Sequence, residues 1–124
     1  MHKSRLGALV IDCQTADLTA AAAFWSAALG YSLQGPEDDG RYAELKAPDR
    51  EMKVLLQKVE HPSRVHLDIE ADDVEAEAAR LEKLGARRIE KIKTWIVMEA
   101  PSGHRFCIVR PQRPDLAEHG NSWS

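Results

Sequence analysis

The chain has 124 residues, a formal net charge of −3, 44% hydrophobic residues and 30% charged residues, which suits one soluble domain with a real core. That mildly acidic balance removes any electrostatic argument for nucleic acid or an anionic membrane as partner, and the longest apolar runs are too short to span a bilayer. Two cysteines, Cys13 and Cys107, without CxxC spacing, make neither a disulfide framework nor a zinc cluster and read as reduced thiols.

The start, Met1-His2-Lys3-Ser4-Arg5, is basic, but no apolar signal-peptide core follows it, so the expected location is cytoplasmic. Leu6 to Cys13 predicts the first strand. Asp17 has the short polar side chain of an N-cap, and a helix is expected to about Leu29. Leu18, Ala22, Trp25 and Leu29 fall on one helical face, and Gly30 supplies the left-handed residue that ends the helix. Tyr31 to Leu33 is a short strand candidate. Gln34 to Gly40 is rich in turn residues. Arg41 to Leu45 and Met52 to Val59 predict two further strands, separated by Ala47-Pro48-Asp49-Arg50.

His61-Pro62-Ser63 breaks the chain, and the same order then restarts. Val65 to Glu70 alternates apolar and polar residues, the mark of a half-buried strand. Asp72-Asp73 caps a second helix to Leu84, with Val74, Ala78, Leu81 and Leu84 on its inner stripe, and Gly85 ends it. Glu75, Glu77, Glu82 and Lys83 read as its solvated face. Ala86 to Glu90, Lys93 to Ala100 and Arg105 to Val109 predict three strands. Beyond Pro111 an irregular tail is expected, with Trp123 able to dock back. Strand, Asp-capped helix ending in Leu-Gly, then three strands therefore occurs twice, offset by roughly 55 residues. Pairing two such units buries a face that each leaves open.

The segment from Ala16-Asp17-Leu18 through Phe24-Trp25 to Leu29-Gly30-Tyr31 resembles the first-helix signature of the glyoxalase/bleomycin resistance/dioxygenase (vicinal oxygen chelate) superfamily. Val65-His66-Leu67-Asp68-Ile69, Asp72-Asp73-Val74, Leu84-Gly85-Ala86 and Ala100-Pro101-Ser102-Gly103-His104-Arg105-Phe106-Cys107 are similar to its second module, most closely in the glyoxalase-like domain subgroup. The resemblance spans about residues 6 to 111. It implies an α+β fold of two βαβββ modules forming a cupped mixed sheet with helices on the outer face. Residues 1–124 are then a single domain, with module one at about 6–60, module two at about 64–111 and a tail at 112–124. In relatives a divalent metal sits in the cup and acts as a Lewis acid. The implied ligand positions fall at Val10, Gln57, His66 and Cys107. Val10 supplies no donor, and Cys107 stands where relatives usually carry Glu, so a conventional site is not expected.

Alternation on the fifth strand puts His66 and Asp68 on one face, toward the cup if Val65, Leu67 and Ile69 pack under a helix. That sets a group titrating near neutral pH beside a carboxylate; the alternative is a histidine bonded within a polar sheet face. The candidate ligand-binding residues are His66, Asp68, Gln57, Trp95, Glu99, Trp25 and Tyr42. Candidate metal ligands are His66, Gln57 and Cys107, with Cys107 as a structural thiol the other reading. Trp95 would stack on a planar ligand and Glu99 would supply a polar contact. Trp25 and Phe24 could wall a pocket, but aromatics at helical spacing are more often plain core.

Three functions follow. The first is binding of a small organic molecule in the cup with no cofactor. The second is a lyase, isomerase or dioxygenase that uses zinc, iron, nickel or manganese through His66. The third is a protein-interaction module with a vestigial cup. Loss of the donor at Val10 favours the first. Members of the superfamily often dimerise, which implies a homodimer, although two modules in one chain also suit a monomer. No glycine-rich phosphate loop supports a nucleotide cofactor.

Overall fold

The computed structural model describes residues 1–37, 39–48 and 51–124; Asp38, Asp49 and Arg50, expected from the sequence to fall in connecting segments, lie outside the described residues. In chain order the elements are β1 (His2–Gln14), α1 (Leu18–Leu29), β2 (Ser32–Glu37), β3 (Tyr42–Lys46), β4 (Lys53–Val59), β5 (Arg64–Ala71), α2 (Val74–Lys83), β6 (Arg87–Ile92), β7 (Trp95–Glu99), β8 (Arg105–Val109), α3 (Leu116–His119) and β9 (Asn121–Trp123). The fold is α+β. Two compact units divide the chain, one of Ala8–Val65 and one of Met1–Gly7 with His66–Ser124.

In the unit of Ala8–Val65, neighbouring strands run β2-β3-β4-β1. The β2/β3 and β3/β4 pairs are antiparallel, and β4 lies parallel to β1. A parallel pair requires a crossover, which α1 begins. The Asp17 side chain accepts a 2.9 Å hydrogen bond from the Thr19 amide at the helix start. Gly30, at φ 73°, donates its N–H to the Ser26 carbonyl at the end. Leu18 and Ala22 of α1 pack with Leu45, Val54 and Leu56 in one core. Leu29, expected on this stripe, is on the last turn and is exposed, as is Phe24. β2 runs further than its apolar residues suggest. A bulge between Gln34 and Glu37, with Gly35 at φ 99°, carries the pairing across the expected loop.

The unit of Met1–Gly7 and His66–Ser124 repeats that plan. Its strands run β5-β8-β7-β6, with β5 parallel to β8 and the remaining pairs antiparallel. Asp73 caps α2 by accepting from the Ala76 amide at 3.0 Å. Ala78 of α2 and Ile96, Met98 and Ile108 of the strands are fully buried together. Leu84, expected on the same stripe, is the C-cap residue and is exposed. The expected strand start at Lys93 is instead a two-residue turn, since Ile92 pairs with Trp95 and Lys93 has φ 51°.

Two readings of this unit need correction. The tail after Pro111 is not irregular throughout: α3 forms, and β9 pairs antiparallel with β1, His2 opposite Trp123. Glu77 is not on a solvated face; its exposure is 0%. It accepts hydrogen bonds from Ser4 Oγ (2.7 Å) and from Arg80 (2.9 and 2.8 Å), and lies 2.8 Å from His2 Nε2. Trp123 Nε1 donates in turn to Ser4 Oγ at 2.8 Å, and the Arg80 guanidinium stacks 3.8 Å from the Trp123 ring centre. A buried charge is tolerated only when it is paired and hydrogen-bonded; His2 and Ser4 of β1 and Arg80 of α2 meet that condition, and Trp123 of β9 packs behind them.

Candidate functional site

The site in the second unit follows from strand register. Asp68 of β5 stands opposite Cys107 of β8, and Val97 of β7 stands opposite Cys107 on the other side. Ile96, Met98 and Ile108 are in the α2 core, so period-two alternation directs Asp68, Cys107 and Val97 to the opposite face. His66 precedes Asp68 by two residues and shares that face. One donor atom each from His66, Asp68 and Cys107 lies within 4.8 Å of the other two. His66 Nε2 is 3.4 Å from Asp68 Oδ1, and each of these side chains is only 11% exposed. The apolar alternates Val65 and Leu67 are 59% and 42% exposed, so here His66 and Asp68 are more sheltered than the apolar residues beside them.

Trp95 and Glu99 share the face of Val97 by the same alternation. Trp95 is half-buried. Glu99 is held by Arg87 at 2.9 Å and Arg105 at 3.3 Å, and these partners, Arg87 foremost, keep its carboxyl below the usual range. Its charge is spent within the sheet, which leaves it poorly suited to a ligand contact. Next along β5, Glu70 is fully buried. Burial pushes its carboxyl up, but bonds from Arg5, from the amides of Gln112 and Arg113, and from the Arg113 side chain bring it down overall. Glu70 thus ties the start of β1 and the tail to β5.

The other candidates belong to the unit of Ala8–Val65. Gln57 and Tyr42 stand opposite each other on β4 and β3, and Gln57 Nε2 donates to the Tyr42 hydroxyl at 3.4 Å. Leu56 and Val54 fill the α1 core, so Gln57 is on the face away from α1. Trp25 is placed differently. It packs against the α1 core and meets Phe24 edge to face at 5.1 Å, away from the face of Gln57 and Tyr42. Val10 is 3% exposed and is aliphatic, so the four-donor metal set implied by the resemblance does not fit this chain.

One residue on that face escaped the sequence reading. Asp12 is 2% exposed, stands opposite Gln57 in the β1/β4 register, and has Oδ2 3.8 Å from the Arg64 guanidinium. The signal was present: Asp12 shares period-two alternation with Ala8 and Val10, as the one charged residue in the run Leu6–Cys13.

A family model for the glyoxalase-like domain matches residues 8–109. Comparison with curated proteins finds no match. Solved structures of similar fold include methylmalonyl-CoA epimerase from Mycobacterium tuberculosis, at 19% identity and TM-score 0.66, covering 90% of each chain. A hypothetical protein of Bacillus halodurans has 15% identity and TM-score 0.67, covering 89% of this chain and 96% of that one. A variant of the Streptomyces coelicolor methylmalonyl-CoA epimerase bound to 2-nitronate-propionyl-CoA has 18% identity and TM-score 0.64, covering 88% and 98%. At these identities the likeness is one of fold. Among the described residues no helix is long and apolar enough to cross a membrane. With the family match covering most of its length and the βαβββ plan present in both units, this chain belongs to the glyoxalase-like domain family of the vicinal oxygen chelate superfamily.

Proposed function

We propose that this protein binds a small organic molecule over the sheet face that carries His66 and Asp68, without the conventional metal set of its superfamily. The observation that carries this reading is the convergence of His66, Asp68 and Cys107 on one sheltered patch beside Val97. An imidazole steadied by a carboxylate can donate to or accept from a ligand oxygen. Val97 and Trp95 offer an apolar wall on the same face, the usual mix of a small-molecule site. Solved proteins of this fold include an epimerase in complex with methylmalonyl-CoA, which makes acyl thioesters a first class to test beside dicarbonyls, aromatics and thiol conjugates.

Thermal unfolding with and without each compound tests the reading. A true ligand at about 100 times its dissociation constant adds roughly 2.7 kcal/mol, a rise of several degrees in Tm. His66→Ala is expected to weaken that ligand at least tenfold. If no compound stabilises the protein, or if stabilisation is equal in His66→Ala, the reading fails, and the first outcome favours a protein-interaction role. The same donor cluster favours a second reading, a lyase, isomerase or dioxygenase dependent on a metal held by His66. A bound ion would there supply Lewis-acid stabilisation of developing negative charge.

A further inference from the structure

We infer that Arg105 anchors the carboxylate of an organic acid whose apolar body lies across Val97, with His66 beside the acid group. This rests on the small-molecule reading of the same sheet face and names the class of its ligand. All the residues involved belong to the unit of Met1–Gly7 and His66–Ser124.

Register builds a polar row across four strands. Glu99 of β7 stands opposite Arg105 of β8 on one side and Arg87 of β6 on the other. His66 lies one step before the Leu67–Phe106 pair of the parallel ladder, which sets it next to Arg105. Cross-strand neighbours share a face, and this is the face of Cys107 and Val97. The charged side chains of the row are not equally committed. Arg87 closes on Glu99 Oε1 with Nε and Nη2, at 3.1 and 2.9 Å, and Arg80 grips Glu77 with the same pair of nitrogens. Arg105 gives Glu99 Oε2 its Nε alone, at 3.3 Å. Among the described residues neither Nη group of Arg105 has a protein partner.

Glu99 is therefore a positioning residue: it holds the Arg105 guanidinium by one edge and leaves the planar fork presented. Two Nη donors in one plane match the two oxygens of a carboxylate. Two arginines against one glutamate leave an excess positive charge in the row, and Asp68 of the adjoining row is engaged by His66 at 3.4 Å. Asp68 repels an anion placed over Cys107, which confines the acid group to the Arg105 row. The Arg105 side chain is 35% exposed, so solvent screens its pairing with a ligand less than it would on an open surface. Rows two residues apart stand about 7 Å from each other along a strand, which sets Val97 about 7 Å and Trp95 about 14 Å from the row of the acid group. A single ring on a short alkyl linker covers the first interval and ends toward Trp95.

Isothermal titration calorimetry of the full chain at about pH 7.5, where carboxylic acids are ionised, tests this. The probes are 3-phenylpropanoate and 4-phenylbutanoate, each beside its primary amide, which keeps the shape and loses the charge. The parent is expected to bind at least one acid about ten- to a hundredfold more tightly than its amide, the worth of a charge-assisted bidentate contact. In Arg105→Leu, and again in Arg105→Gln, that preference should vanish through loss of acid affinity, with amide affinity unchanged. Ligand-free thermal unfolding of both variants should match that of the parent, which separates loss of the anchor from loss of the fold. His66→Ala, by contrast, should weaken acid and amide alike. Equal affinity for acid and amide in the parent, a preference that survives in both Arg105 variants, or no binding of either acid overturns the proposal. Amides bound as tightly as acids, and weakened by His66→Ala, sink the carboxylate assignment and leave the small-molecule reading standing. That reading falls only if no compound of the wider screen stabilises the protein, or if stabilisation is equal in His66→Ala.

Discussion

Glu77 shows how one side chain can be misassigned by periodicity and then dominate acid stability. Burial raises its carboxyl, but the bonds from Arg80, His2 and Ser4 outweigh that and hold it at about 2, below its ordinary 4.5. A depressed acid contributes stability that is fully present above the unfolded value and is lost as pH falls through 4.5 toward 2. The contribution is on the order of 3 kcal/mol. Urea unfolding at a series of pH values is expected to show the parent losing about that much more than Glu77→Gln between roughly pH 5 and pH 2. Parallel acid limbs in the two proteins would show that Glu77 does not set this response. Helical spacing placed Glu77 beside Glu75 on a wet face because Glu is seldom buried; its partners His2 and Ser4 are remote in sequence and left no local mark.

At the scale of elements, most of the fold was legible where chemistry is local. Asp17 and Asp73 are the N-caps that their side chains suggested, and β8 runs from Arg105 to Val109, the bounds expected after the Pro101–His104 turn. The errors fall where no residue type announces the geometry. The β6–β7 turn is Lys93-Thr94, without glycine, asparagine or proline, and Lys93 adopts φ 51° regardless. A side chain at positive φ costs roughly 1 kcal/mol, partly offset by the extra unfolded-state freedom of glycine. Lys93→Gly is therefore expected to stabilise by about 0.5 kcal/mol, raising Tm by a few degrees in thermal unfolding; a lower Tm would mean that Lys93 makes a contact worth more than its strain. The site was legible to the same degree. Alternation put His66 with Asp68, but the pairing of Asp68 with Cys107 is a matter of parallel register, which no single strand encodes.

Across the whole molecule, the βαβββ plan repeats in both units, and the repeat was visible as two Asp-capped helices each ending in Leu-Gly. What the repeat does not contain is the closure of the second unit by the beginning and end of the chain. There β9 pairs with β1, Trp123 donates to Ser4, and Arg80 covers the Trp123 ring. Trp123→Ala removes the ring and the hydrogen bond while leaving the strand. The expected cost is about 2–3 kcal/mol, read from denaturant midpoints, and hydrogen exchange should quicken at His2–Ser4. Unchanged protection there would mean that backbone pairing alone holds β9. This arrangement also has a temporal side. During synthesis His2 emerges long before its strand partner Trp123, so this pairing cannot form until the 120 positions between them have been translated. Loops of that span close slowly, and domains otherwise assemble in order from the ribosome. The Ala8–Val65 unit can therefore organise before β9 is made, whereas the other unit must wait for it.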